Sequence, residues 1–158
     1  MALPIASVVA GALIDPTTFG NEVVDAINAA PRGRVAYASS TTTQSGISSV
    51  TDLTGLSVTF TAAAGRRYRV SVQVRATLST TAGAIEVYIT DGSNVVQNKA
   101  SIGLGVGETA MFQPQAIVVP GAGSVTYKAR AILASGGTLA PVLSSTQPAF
   151  ILVEDIGT

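Results

Sequence analysis

The sequence contains no cysteine and no histidine. Their absence excludes disulfides, thiolate nucleophiles and serine–histidine catalysis, and it removes the ligands of most zinc sites. A calcium loop of the D-x-D-x-D-G type is also missing. The nine carboxylates are scattered, and the neighbours Glu154 and Asp155 point to opposite faces of a predicted strand. We therefore expect no catalytic residues, no cofactor and no metal, and we expect that the protein is not an enzyme.

Charged residues are scarce, at 11% of the chain, against about 25% in an ordinary soluble domain. Nine basic and nine acidic side chains cancel, so composition gives no electrostatic basis for binding nucleic acid or an anionic membrane. Apolar residues nevertheless make up 47% of the 158 residues, and the mean hydropathy is +0.46. This is more apolar surface than one small core needs, which predicts burial against other chains.

Residues 1–14 carry no charged side chain and are almost wholly apolar. Pro4 and Gly11 interrupt this run, which is too short to span a bilayer and lacks the basic start of a signal peptide. We interpret the segment as an extended arm that attaches the chain to a partner. The attachment residues predicted in the arm are Leu3, Pro4, Ile5, Val8, Val9, Leu13 and Ile14.

Residues 15–31 predict a short connecting helix. Asp15 is a good N-cap, Pro16 suits the first helical position, and Pro31 ends the helix. Apolar side chains at helical spacing form one stripe, which consists mainly of Phe19, Val23 and Ile27. Two interpretations of the helix stay open: it covers an open end of the following domain, or it docks on a partner as an attachment or trimer-stalk helix.

From residue 32 to residue 158 the apolar positions recur with a period of two, as in strands with one buried face. The clearest run is residues 67–78, and the same pattern recurs in 56–60 and 85–89. Further strands are predicted near residues 34–39, 94–102, 108–119, 124–134 and 149–156. Seven to nine strands without a second helix predict an all-β fold, namely a sandwich, jelly roll or barrel. We assign an antiparallel β-sandwich or jelly roll.

Three apolar runs break this alternation, at residues 95–96, 117–119 and 149–153. A strand that is apolar on both faces must be covered on both faces. The chain itself could provide the second cover, but one short helix is little material for it. We therefore predict that subunits meet on the last strand, through Phe150, Ile151, Leu152 and Val153.

Arg67, Arg69 and Arg75 fall on one face of the strand at 67–78. Such a face is either solvated, which protects a sheet from edge-to-edge pairing, or it is a basic patch that meets an acidic partner. The glycine-rich segment 103–107 is not followed by a helix, so a hairpin loop is favoured over a phosphate loop. Among the four tyrosines, Tyr88 is predicted to be the most exposed, and a lone tyrosine is weak support for a sugar site.

The segments TDLTGLSVTFTA, GRRYRV and FILVEDIG, with SVVAGALIDPTTFGNEVVDAIN before them, resemble small virion proteins of tailed bacteriophages. Such proteins occur in phages of actinobacteria and are called minor capsid or minor tail proteins. The resemblance covers nearly the whole chain. It implies a jelly-roll head that forms a homotrimer, an N-terminal segment attached to the particle, and a place on the virion surface.

Two functions remain open at this point. In the first, the protein decorates the capsid as a minor capsid trimer, with major capsid or tail proteins as its partners. In the second, it is a minor tail or fibre-type protein whose loops at 79–83, 103–107 or 135–148 touch a glycan of the host surface. A secreted lectin-like domain is a third, weaker interpretation.

Overall fold

A computed structural model of the chain describes residues 16–78, 81–134, 139–141 and 146–158. The predicted arm at 1–14 and the predicted N-cap Asp15 lie outside these residues. So do positions 79–80, 135–138 and 142–145 of the loops predicted to touch a glycan. The chain divides into two compact units, Met1–Ala30 and Pro31–Thr158.

The first unit contains one helix, α1, at Pro16–Ala29. Its last turn is closed by the amide of Ala30, which donates to the carbonyl oxygen of Ala26 at 3.1 Å. The predicted helix at 15–31 is therefore present with slightly shorter bounds. Val23 and Ile27 of the predicted stripe are 41% and 66% exposed, and the role of the stripe stays a prediction.

The second unit is built of β-strands, as predicted. Within the described residues its ten strands are β1 Gly33–Ser40, β2 Thr51–Ala62, β3 Arg67–Leu78, β4 Gly83–Asp91, β5 Val96–Leu104, β6 Thr109–Phe112, β7 Gln115–Val118, β8 Gly123–Leu133, β9 Leu139–Pro141 and β10 Ala149–Gly157. The number exceeds the prediction for two reasons. The expected strand at 108–119 is divided into β6 and β7 beside Pro114, which has no N–H to give to a ladder. The short strand β9 has no periodicity that could reveal it.

These strands form two antiparallel sheets. The first sheet has the order β1-β10-β3-β6, and β7 and β9 also pair with β3. The second sheet has the order β2-β8-β4-β5. Because the chain changes sheet at most of its connections, as in a jelly roll, the predicted sandwich class is confirmed. The segment 103–107 makes one such change, from β5 to β6, and is therefore not a hairpin loop.

One apolar core lies between the two sheets. Alternate residues of β3 point into it from the first sheet, and Ile85, Val87 and Ile89 of β4 do so from the second sheet at 0% exposure. Each side chain of this size contributes about 1.5–3 kcal/mol when fully buried. The period-two pattern of the sequence therefore identified the core side of both strands.

The last strand corrects one prediction. Ile151 and Val153 are both 0% exposed and belong to this core, so they do not face a neighbouring subunit. Phe150 and Leu152 alternate with them on the opposite face and remain half-buried. The strand is thus apolar on both faces, as predicted, but only one of these faces is available for contact with another chain.

A bulge in β2 depends on glycine. The pairing of β2 with β8 shifts register between Asp52 and Ser57, and Gly55 lies within this shift at a φ of 78°. A Cβ atom on Gly55 would lie 3.3 Å from the Cβ of Ser40. Both the backbone angle and the close approach therefore favour glycine here.

Candidate functional site

The outer face of the first sheet, which points away from the core, carries an apolar cluster on the edge strand β1 and its neighbour β10. Tyr37 of β1 lies opposite Leu152 of β10, and Leu152 lies opposite Ser71 of β3. The rings of Tyr37 and Phe150 stack with centroids 6.1 Å apart. Tyr37 is 49% exposed, which leaves much of this aromatic pair open to contact.

Amide side chains and apolar side chains continue this face toward β6 and β7. Gln73 of β3 accepts a hydrogen bond from Gln113, with 3.0 Å between the amide nitrogen and the oxygen. Met111 of β6 and Ile117 of β7 lie opposite Arg75 and Arg69. Met111 is 44% exposed and Ile117 is 58% exposed, so a second apolar area lies beyond the polar outer positions of β3.

Three predicted basic residues share this face, as their spacing indicated. Arg69 pairs with Glu154 of β10, with its Nη2 2.7 Å from Oε2. Arg75 donates a hydrogen bond to the side chain of Gln147, and Arg67 is exposed. The side chains are thus positioned together, and their contact with an acidic partner stays a prediction.

The most exposed tyrosine is Tyr37, so the prediction that named Tyr88 is wrong. Tyr88 is half-buried, donates a hydrogen bond to Glu86 and lies 5.8 Å below the Nζ atom of Lys99. Burial raises the pKa of Tyr88 to about 12, and the carboxylate of Glu86 adds to this shift. The sequence carried a weak signal for Tyr37, because both neighbouring inward positions hold small alanines.

The outer face of the second sheet carries charged side chains that pair with one another. Asp52 pairs with both Lys128 and Arg130, at 3.0 Å and 2.6 Å, and Lys99 pairs with Glu86 at 2.7 Å. Burial tends to raise the pKa of Asp52, but the two cations outweigh it and the pKa is lowered. A face of paired charges is typical of a solvated surface.

A buried ion pair ties the turn before β3 to β10. Arg66 and Asp155 are only 4% and 3% exposed, and their closest atoms lie 2.5 Å apart. The amide of Gly157 donates a further bond to Asp155 at 3.0 Å. The hydrogen bond from Arg66 is the largest effect that lowers the pKa of Asp155. Since Glu154 lies on the outer face, the expectation that the two carboxylates point apart is confirmed.

No cluster of three or more acidic side chains within the part of the chain that the structure describes could hold a metal ion. Among the described helical residues, no helix is both long enough and apolar enough to cross a membrane.

Comparison with known proteins finds a common fold. No family model matches the chain, and no curated protein matches it. The structure is similar to Eiger TNF from S. frugiperda, with 12% identity and a TM-score of 0.56, covering 79% of this chain and 93% of that one. At this identity the likeness shows the fold alone, which is an antiparallel β-sandwich of the jelly-roll type.

Two further solved structures are more distant. One is the VP2 subviral particle of infectious bursal disease virus, at 11% identity and a TM-score of 0.41, covering 80% of this chain and 38% of that one. The other is a carbohydrate-binding module in complex with calcium and xylotriose, at 15% identity and a TM-score of 0.38, covering 74% of this chain and 98% of that one.

Proposed function

We propose that the protein is a structural bacteriophage virion protein without a catalytic role, which assembles through the outer face of its first sheet. The observation that supports this most is the contrast between the two outer faces. One face exposes aromatic, apolar and arginine side chains together with the Arg69–Glu154 ion pair, and the other exposes the paired charges of Lys99, Lys128 and Arg130.

This contrast follows the known composition of protein interfaces. Interfaces are enriched in aromatic residues, methionine and arginine, and they are depleted in lysine, glutamate and aspartate. The first sheet presents Tyr37, Phe150, Met111 and three arginines on its outer face. Both lysines of the chain, Lys99 and Lys128, lie in the second sheet. The first sheet is therefore the face on which we place the contact between subunits.

A stacked aromatic pair on such a face is suited to anchor the contact. Buried aromatic side chains dominate the energetics of most interfaces, and polar groups around them exclude water. Here Tyr37 and Phe150 form the pair, while Gln73 and Gln113 are already hydrogen-bonded to each other. Burying these amides therefore leaves fewer polar groups without partners.

The number of copies and the location rest on the resemblance to phage proteins. Symmetry by itself favours dimers over trimers, whereas the segments TDLTGLSVTFTA, GRRYRV and FILVEDIG resemble proteins that form trimers on the virion surface. We place the first sheets of three copies around a common axis. The arm at 1–14, together with the Phe19, Val23 and Ile27 stripe of α1, then attaches the trimer to major capsid or tail proteins.

Deletion of residues 2–14 tests the attachment. The truncated protein is expected to keep its fold and its trimer, because the strands and the first sheet are unchanged, but to lose binding to isolated phage particles. Co-sedimentation with particles measures the binding, and sedimentation velocity measures the trimer. The attachment proposal fails if the truncated protein sediments with particles as well as the full chain does.

A further inference from the structure

A cleft opens at one end of the second unit, next to the turn between β4 and β5. It has a volume of about 640 Å³ and is formed by that turn, by β5 and by the residues that join β7 to β8. The volume lies within the range of sites that bind small molecules, which is about 300–1,000 Å³. The described residues of the loops predicted to touch a glycan do not contribute to it.

The cleft contains a phenol that lacks a partner. Tyr127 of β8 is only 5% exposed, yet it lines the cleft, and its hydroxyl makes no hydrogen bond within the described residues. Burial raises the pKa of Tyr127, and the charge of Asp91 raises it further. The phenol therefore keeps its proton at neutral pH and offers both a donor and an acceptor to a ligand.

A carboxylate is held in a fixed orientation beside this phenol. The Oδ1 atom of Asp91 accepts hydrogen bonds from the amides of Ser93 and Val95, each at 2.9 Å. Asn94, at a φ of 68°, completes the turn. Among the described residues, no cation pairs with Asp91 and no donor reaches its Oδ2 atom. The turn thus holds one oxygen and leaves the other for a ligand.

The walls add apolar surface and further polar groups. Val119, which follows β7, is 63% exposed and lines the cleft, whereas Ile117 borders the cleft but lies opposite Arg69 on the outer face of the first sheet. Gln97 of β5 and Thr126 of β8 contribute an amide and a hydroxyl. The cleft therefore combines several hydrogen-bonding groups with a smaller amount of aliphatic surface.

This combination selects among ligand classes. An anion is disfavoured, because Asp91 is charged and no basic side chain lines the cleft. A wholly apolar ligand is disfavoured as well, because it would bury the carboxylate and the phenol without partners. A polyhydroxylated ligand satisfies these groups with its hydroxyls and can lay its C–H face on Val119.

We propose that this cleft binds a saccharide unit. The free Oδ2 atom of Asp91 accepts a hydrogen bond from a hydroxyl of the sugar, Tyr127 and Gln97 hold further hydroxyls, and the sugar ring rests against Val119. The site lies within one chain. It therefore goes beyond the assembly role and does not depend on the trimer or on the arm.

Saturation-transfer NMR with the full chain tests the site, with glucose, galactose, mannose, N-acetylglucosamine and short oligomers of each as probes. At least one probe is expected to bind. Asp91→Asn is expected to weaken this binding at least tenfold while preserving the turn, because an asparagine oxygen still accepts the bonds from Ser93 and Val95. The matched control is Asp52→Asn, which removes the same charge outside the cleft and is expected to bind as the wild type does.

A second variant guards against misfolding. Gln97→Leu removes an amide whose hydrogen bond goes to the nearby carbonyl of Val95, so the strand is expected to stay intact while saccharide binding falls. Circular dichroism verifies the fold of each variant. The proposal is overturned if no saccharide binds the wild-type chain or if Asp91→Asn binds the saccharide with unchanged affinity. It is also overturned if lysine amide, a cationic probe for the Asp91 carboxylate, binds the chain and the sugars do not. None of these outcomes bears on the trimer.

Discussion

Neighbouring residues of β10 are expected to respond to substitution in opposite ways. Ile151 is fully buried between the sheets, and its register partners are Ala38 of β1 and Val72 of β3. Leu152 points to the outer face, opposite Tyr37. Replacing the first side chain tests the core, and replacing the second tests the proposed contact between subunits.

The core substitution has a calculable magnitude. Truncating a buried isoleucine to alanine removes apolar contacts and leaves a cavity, at a cost of about 2–5 kcal/mol. Because Ile151 is completely enclosed, we expect Ile151→Ala to lower the free energy of unfolding by about 3 kcal/mol. For a chain of this length the corresponding fall in Tm is roughly 10 °C. The mass of the assembled protein is expected to stay unchanged, since the outer face is intact.

Leu152→Ser should have the complementary effect. The side chain is half-buried and contributes less to the core of one chain, but it lies at the centre of the proposed contact. We expect smaller assemblies at micromolar concentration and a far-UV circular dichroism spectrum like that of the wild type. Urea unfolding followed by circular dichroism measures the stability of each variant, and sedimentation velocity measures its mass.

The assignment of the two faces of β10 to the core and to the subunit contact is wrong if the two variants exchange their effects. If Ile151→Ala kept its stability but formed a smaller assembly, the face of β10 that carries Ile151 would form the contact between subunits. A Leu152→Ser protein that assembles as the wild type does would remove the outer face of the first sheet from the assembly.

Three further predictions concern stability. Because the pKa of Asp155 is lowered, its pairing with Arg66 stabilises the fold above the ordinary aspartate pKa of 3.8, and this stability is lost as the pH falls below that value. Acid titration of Asp155→Asn, followed by circular dichroism, should not show this pH-dependent loss of stability. Because the pKa of Tyr88 is raised, the contribution of its protonated form to stability is fully present below pH 10 and is lost as the pH rises from 10.0 to about 12. The stability of Tyr88→Phe should therefore fall less than that of the wild type in alkaline unfolding. Gly55→Ala should lower the free energy of unfolding by about 1–2 kcal/mol, because its φ is positive and Ser40 lies close; urea unfolding that shows no change would contradict this.

The sequence was sufficient for the class of fold and for the core side of most strands. In β3 the alternation from Tyr68 to Leu78 assigned each side chain to the correct face. In β1 it did not, because Ala36 and Tyr37 are both apolar and only pairing with β10 determines which one faces the core. The same ambiguity placed Ile151 at a subunit contact, since a run of five apolar residues has no visible period.

Long-range contacts account for the remaining differences. No local pattern marks Arg66 as buried, because its burial depends on Asp155, which is 89 positions away in the chain. The cleft likewise joins Asp91, Ile117 and Tyr127 from three separate segments. Strand order and register bring such groups together, and neither can be read from local periodicity.

The mass of the purified full chain in solution tests whether three copies assemble through the outer face of the first sheet. Sedimentation equilibrium over a range of concentrations is expected to give three times the 15.9 kDa mass of one chain. The double variant Tyr37→Ser and Leu152→Ser is expected to give the mass of a single folded chain. A wild-type protein that stays at 15.9 kDa at every concentration would contradict the proposed trimer.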